Sequence, residues 1–336
     1  MSARALLSLL FNASKGLDVV TTALELGLLE RLDAGPVTLG ELCDRTGAKP
    51  NRMYKFLDCL ESMGLVVRTP SSVDRLTTEY RSAEPLTEAA RLVLGPSSIE
   101  RDRDRYDWRT LSGQLPAVLR GDRAIESFAW PPTTPEQVRD FEASMAAGCA
   151  PIVESFLAAT EEVFPAGAAC RWLDVGGGDG TLAVGVLDRI PGVRADVFNL
   201  PSTGPLIAAR ARAAGHEDRL RHVGGDFFLD ELPGGYDVVS FVRVLHDWDE
   251  EKARTLLEKA TRALAPGGRL VVCEEFRTKE RLAVQFFWTY FLMGVDACES
   301  RLRDAEFYLR ELSGLGFAEA HVVPGAFDLV VATYRR

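Results

Sequence analysis

The segment Trp172-Leu-Asp-Val-Gly-Gly-Gly-Asp-Gly-Thr181 ends a short apolar run in a carboxylate, Asp174, and sets glycines at 176, 178 and 180. An amphipathic segment follows, with Leu182, Val184, Val186, Leu187 and Ile190. Strand, glycine turn and helix in this order form the first unit of a nucleotide-binding α/β fold. Bare backbone at the turn lets a ligand approach with no Cβ in the way. The dinucleotide fingerprint G-x-G-x-x-G fails, because counted from Gly176 its last glycine is Thr181. The plain alternative is a loop that only joins strand to helix. A second candidate is His246, in Val244-Leu-His-Asp-Trp-Asp249. Of four histidines it alone falls just past the carboxyl end of an expected strand. There it can serve as a general base; the bland alternative is a structural histidine.

Asp-x-Gly-x-Gly-x-Gly resembles the first motif of class I S-adenosylmethionine-dependent methyltransferases. That cofactor has a cationic sulfonium and a free amino acid end, which suit a carboxylate beside bare backbone. Ligands of such sheets sit at the carboxyl ends of the strands. Asp174, Gly176, Gly178 and Gly180 would then hold the methionine end. Asn199, with Leu200 beside it, ends the second strand where the family commonly has an acidic residue for the ribose hydroxyls; its amide can still accept a hydrogen bond, more weakly than a carboxylate. Asp226 can accept from the adenine amino group, and Phe227 can stack on the ring. Arg243 can shape the cofactor carboxylate site, and Trp248 can cover the cofactor.

These positions require strands that deliver them. From Cys170 the pattern alternates strand and helix. Strands are expected at 171–175, 195–200, 220–223, 236–241 and 269–273, with helices at 180–190, 203–215 and 249–264. Such alternation means a parallel sheet with helices on both faces. Residues 318–323 and 327–335 are joined by Pro324-Gly325-Ala326, too short for a crossover, so they must pair antiparallel. The fold class is therefore α/β, a Rossmann-like sheet with a terminal antiparallel hairpin.

The front of the chain reads differently. Ala5–Leu10 and Leu17–Leu32 carry helical apolar spacing. Thr38 with Glu41 has the capping-box spacing, Pro50–Met63 is a helix, and Gly64–Arg68 is a strand returned by Leu76–Thr78. This is a winged-helix arrangement. Lys49, Arg52 and Lys55 would lie on its recognition helix, but acidic and basic residues in the domain are balanced, which favours a packing module. Three regions are expected: a winged-helix domain at 1–100, to which the family resemblance given below assigns dimerisation, a helical connector at 101–165 with periodicity over Glu136–Phe164, and a cofactor domain at 166–336. Phe128, Trp130 and Met145 of the connector, with Phe286, Phe287, Tyr290 and Met293, can wall a pocket for a flat apolar small molecule or form ordinary core.

Composition narrows the function. The 336 residues carry a net charge of -10, which argues against nucleic acid. Six cysteines show no C-x-x-C pair and read as reduced thiols of a cytoplasmic protein. No signal peptide or membrane span is expected; the apolar stretch Val284–Val295 is too short to cross. No metal-ligand cluster is visible.

The glycine motif, Gly225-Asp-Phe-Phe228, Leu245-His-Asp-Trp248 and the winged-helix front together resemble the caffeate and acetylserotonin O-methyltransferase family over essentially the whole chain. The resemblance implies that His246 deprotonates a substrate hydroxyl and that an acidic residue 28 positions on supports it, which is Glu274. Asp247 is a lesser partner. The family's third acidic residue normally follows a Gly-Gly pair; the nearest residue here is Glu299, without that pair. The resemblance also implies an intertwined homodimer, which would cover the apolar face at Leu6–Leu10 and Leu17–Leu28. The expected reaction is methyl transfer to a hydroxyl of an aromatic or polyketide-like molecule, with S-adenosylhomocysteine as product. For a phenol of pKa about 10 and a histidine of about 6.5, proton transfer is uphill by about 5 kcal/mol. Carbon or nitrogen methylation, a non-methylating relative and a winged-helix regulator remain alternatives.

Overall fold

The computed structural model describes residues 2–69, 74–95, 115–122, 132–165, 169–278 and 302–335. The chain divides into two compact units, Met1–Asp107 and Trp108–Arg336.

The first unit packs helices Ala3–Glu25, Leu28–Asp33, Leu39–Thr46, Pro50–Ser62 and Thr87–Leu94 with a small antiparallel sheet. Its strands are β1 (Val37–Thr38), β2 (Val66–Thr69) and β3 (Glu79–Ser82), in the order β1-β3-β2. Leu28, Leu29, Leu39, Leu42, Leu57 and Leu60 are fully buried at its centre. Thr38 and Glu41 close the capping box that their spacing predicts. Two expectations are corrected. Ala5–Leu10 and the segment from Leu17 belong to one helix, Ala3–Glu25, because an interior glycine, Gly16, costs a helix only about 1 kcal/mol. The break falls later, at left-handed Gly27. Leu76–Thr78 is not the returning strand: Asp74 caps a tight turn over Arg75–Thr77, and the return is β3. The apolar face expected at Leu6–Leu10 and Leu17–Leu28 is exposed along the long helix, from Leu6 to Phe11 and at Leu17, whereas Leu28 closes the unit's own core.

In the second unit the helical periodicity over Glu136–Phe164 is three helices, Pro135–Ala147, Ala150–Ala158 and Thr160–Val163. Gly148 caps the first, and Pro151 fits only the opening turn of the second. Seven strands follow: β4 (Cys170–Val175), β5 (Val193–Asn199), β6 (Leu220–Gly224), β7 (Tyr236–Val242), β8 (Leu264–Cys273), β9 (Phe317–Val323) and β10 (Leu329–Tyr334). Their order is β6-β5-β4-β7-β8-β10-β9. The pairs from β6 to β8 are parallel, and β10 runs antiparallel to both β8 and β9, as the short connection requires. Side chains alternate between two cores. Trp172 packs with Phe156 and Val197 on one face; Leu173 and Val175 pack with Phe241 and Leu256 on the other. None of the helices formed by the described residues is long and apolar enough to cross a membrane.

The register matters most for function. Val175 lies beside Phe198, Asn199 beside Gly224, and Val242 beside Cys273. The parallel strands thus end level, and the residues that follow each of them emerge along one edge.

Candidate active site

A cavity of about 310 Å³ opens along that edge, entirely within the second unit. Its wall includes Asp174, Gly176, Gly178, Asn199, Leu200, Asp226, Phe227, Arg243, His246, Asp247, Trp248 and Met145, all singled out by the sequence. Gly180 is not part of the wall; it packs beside Leu220 and Ile207 as the N-cap of the helix Thr181–Leu187. Phe128, Trp130, Phe286, Phe287, Tyr290, Met293 and Glu299 lie outside the described residues.

Asp174 stands where β4 meets the turn. In the β4–β7 register it pairs with Ser240, whose hydroxyl receives Trp172 Nε1 at 2.8 Å and donates to Asp174 Oδ1 at 2.6 Å. Asp174 Oδ2 is buried with no hydrogen-bond partner. Burial lifts this carboxyl to about 7, against the Ser240 hydrogen bond. This orphaned oxygen lies beneath the glycine turn and adds negative charge to the site, which suits a ligand that carries positive charge. Gly176 and Gly178 hold left-handed φ angles of 72° and 58°. Protein atoms already occupy the space their side chains would need: Val244 Cγ2 at Gly176 and Glu142 Oε2 at Gly178, each 2.7 Å from an added Cβ.

The neighbouring strand ends supply polar groups. Asn199 Nδ2 donates to the Gly178 carbonyl at 3.2 Å, and its Oδ1 accepts from Leu200 N at 2.8 Å. The amide therefore braces the glycine turn, a use that its position at the strand end did not reveal. Asp226 Oδ1 accepts from Phe228 N at 2.8 Å. Phe227, Phe228 and Trp248 meet edge to face, with centroids 4.7 to 5.9 Å apart. Arg243 takes a left-handed φ of 54° and donates to the Met145 carbonyl at 2.6 Å.

His246 sits in a tight turn, Leu245–Asp247, after β7. It is 3% exposed, and its Nδ1 hydrogen-bonds Glu274 Oε2. Glu274 follows β8 directly. Its Oε1 accepts from Leu245 N at 2.9 Å and His246 N at 3.3 Å, so one carboxylate fixes both the ring and its backbone. His246 Nε2 is 3.4 Å from Asp247 Oδ1. Burial works against the imidazolium, but Glu274 and Asp247, with a further contribution from Glu275, outweigh it and raise the ring to about 9. Burial lifts Asp247 to about 6, opposed by His246.

Sequence reasoning missed two buried cations behind this wall. Arg303 donates to the carbonyls of Leu245 and Trp248 and so holds the histidine turn from beneath. Lys259, 7% exposed, donates to the carbonyls of Phe227, Phe228 and Asp230 at 2.9, 3.1 and 2.7 Å, using all three of its donors. Lys259→Met orphans those carbonyls. We expect a stability loss of about 1–3 kcal/mol by denaturant titration. Faster amide exchange confined to residues 226–230 would accompany it. Unchanged exchange there would refute a positioning role. A third missed residue is Glu142, discussed below. Its signal was available: it shares a helical face with Val138 and Met145, where a charge is out of place.

A family profile described as an O-methyltransferase domain matches residues 124–318, more than half of the chain. The chain belongs to the O-methyltransferase family. Relatives of this O-methyltransferase include the 3-amino-4-hydroxybenzoate 4-O-methyltransferase of Streptomyces cremeus, 31% identical over 95% of this chain and 87% of that protein. The N,N-dimethyltransferase OxyT of Streptomyces rimosus is 29% identical over 94% of this chain and 90% of its own. Among solved structures, the apo form of the S-adenosylmethionine-dependent methyltransferase SibL superposes with a TM-score of 0.66. The match has 24% identity and covers 98% of this chain and 99% of SibL, so the two share the fold. The O-methyltransferase thus carries the family resemblance read from its motifs.

Proposed function

We propose that the protein transfers a methyl group from S-adenosylmethionine to a hydroxyl of an aromatic or polyketide-like small molecule. The observation that carries this reading is the buried His246–Glu274 pair beside a cavity whose wall also holds Asp174 and the glycine turn. S-adenosylmethionine, when bound, supplies an electrophilic methyl on a sulfonium. Asp174 and the backbone at 176–178 would hold its amino acid end. Asn199 and Leu200 would hold its ribose, and Asp226 and Phe227 its adenine. Arg243 would shape the pocket for the cofactor carboxylate, and Trp248 would cover the cofactor. Phe141 and Met145 line the same cavity and would present apolar surface to a flat acceptor.

His246 takes the acceptor proton on Nε2, while Glu274 holds Nδ1 and thereby sets the ring's orientation. Asp247 adds negative charge beside Nε2. With Glu274 and Asp247 raising the ring above an ordinary histidine, proton transfer from a phenol is less steeply uphill than it is to a free imidazole. The test is incubation with methyl-labelled S-adenosylmethionine and a panel of hydroxylated aromatics, followed by mass analysis of the products. No labelled product from any acceptor, despite donor binding, would defeat the reading. The likeness to an N,N-dimethyltransferase favours a second reading, methylation of nitrogen on a similar acceptor. Locating the label by fragmentation separates the two.

The long first helix exposes Leu7 at 66%, Leu9 at 56% and Phe11 at 83%. Such a stripe calls for cover, and a second copy of the chain is the cover we propose. Sedimentation is expected to give a dimer at micromolar concentration, and a stable monomer would refute it. The five described cysteines are free thiols, which supports a reducing, cytoplasmic setting.

A further inference from the structure

One charged group in the cavity wall has no part in the chemistry above. Glu142 lies on the helix Pro135–Ala147, on the face that carries Val138 and Met145 toward the cavity. It is 7% exposed. Among the described residues, neither of its carboxylate oxygens takes part in a hydrogen bond. Its Oε2 rests against the glycine turn, where an added Cβ on Gly178 would come within 2.7 Å. Burial and the nearby Asp179 carboxylate push its carboxyl up to about 7, against the pull of Arg243. Arg243 gives its guanidinium to the Met145 carbonyl, and no ion pair joins it to Glu142 among the described residues.

A buried carboxylate with open acceptor capacity is costly unless something else satisfies it. Asp174 is differently placed: one of its oxygens takes the Ser240 hydroxyl, and the other is tucked under Gly177, 2.3 Å from where a Cβ would stand. Glu142 meets the same turn at Gly178 and lines the cavity, and among the described residues neither of its oxygens is hydrogen-bonded. A primary ammonium group fits there, since it brings donors and a positive charge to a place that has acceptors and excess negative charge.

We infer that Glu142 is the receptor for the α-ammonium of the methyl donor's amino acid end, a binding residue on the helix that approaches the glycine turn from outside the sheet. The inference rests on the donor assignment made above. It implies that the enzyme distinguishes nucleosides bearing an ammonium group from those without one through this side chain.

Two ligands separate the possibilities by calorimetry: S-adenosylhomocysteine, which carries the ammonium, and methylthioadenosine, which lacks the amino acid. Glu142→Gln keeps the shape and removes the charge. It should weaken S-adenosylhomocysteine by about 10- to 100-fold, the range of a charge-assisted hydrogen bond, and leave methylthioadenosine unchanged. Equal binding of S-adenosylhomocysteine by wild type and variant overturns the inference. Equal loss of both ligands overturns it too, because the carboxylate then supports the turn and not a charge. Glu142→Asp provides a second reading: it should fall between wild type and Gln for S-adenosylhomocysteine alone. Wild-type protein that binds neither ligand would instead refute the donor assignment, and this inference with it.

Discussion

His246→Gln should lower turnover by about 10²–10⁴-fold, the usual share of general-base catalysis, while donor affinity measured by calorimetry stays at the wild-type level. Glutamine preserves bulk and can still accept a hydrogen bond, but it cannot take a proton. Turnover equal to wild type would remove His246 from the chemistry. The pH profile gives an independent check. With the ring raised to about 9, the base is mostly protonated at neutral pH. kcat/KM should therefore rise about tenfold per pH unit from neutrality and level off near pH 9, as expected for a free-enzyme group that must lose its proton to act. A profile flat between pH 7 and 9 would contradict that assignment. The same raised value bears on folding. His246 binds its proton more tightly in the folded state than in the unfolded chain, where it titrates near 6.5. Its contribution to stability is complete below about pH 6.5 and is lost as pH rises through about 9.

Glu274 carries the second large effect, and it acts on both stability and rate. Glu274→Ala strands the imidazole and the amides of Leu245 and His246 in a buried site. Removing one partner of a buried ion pair costs about 3–5 kcal/mol, so we expect a corresponding drop in unfolding free energy by denaturant titration. Glu274→Gln is gentler and more informative. It keeps hydrogen-bonding capacity but removes the charge that holds His246 up. The rise in kcat/KM should then shift toward lower pH, toward the ordinary histidine value, while the plateau falls because the ring is less firmly oriented. An unshifted profile would show that Glu274 does not set the titration of His246.

The parts of this site that were legible in the sequence are those encoded locally. The turn at 174–180 announces itself because a carboxylate and spaced glycines must be adjacent to work. His246 stood out by its place after an apolar run. Strand alternation, with the short final connection, yielded the sheet and its antiparallel end. What stayed hidden depends on distant partners. Lys259 reads as one more polar residue of an amphipathic helix, and only the fold brings it to three carbonyls about thirty residues earlier. Arg303 reaches back more than fifty residues to the histidine turn. Glu274 has no local mark at all; the family resemblance alone pointed to it. In the first unit, the helical spacing before and after Gly16 runs on as one helix, since a single glycine cannot outweigh the apolar periodicity on both sides of it. The periodic stretch after Thr134 is helical as its spacing indicates, with a break at Gly148 and Pro151 that periodicity alone does not mark.

The crowded underside of the glycine turn changes what mutagenesis there can report. A methyl group added at 176, 177 or 178 would collide with Val244, Asp174 or Glu142, inside the protein's own wall. An alanine scan of this stretch would therefore register internal eviction, and its lost activity would be mistaken for a map of nucleotide contacts. Engineers who wish to retune the enzyme should leave those three positions alone and vary Val244, the crowding side chain that carries no charge for the donor.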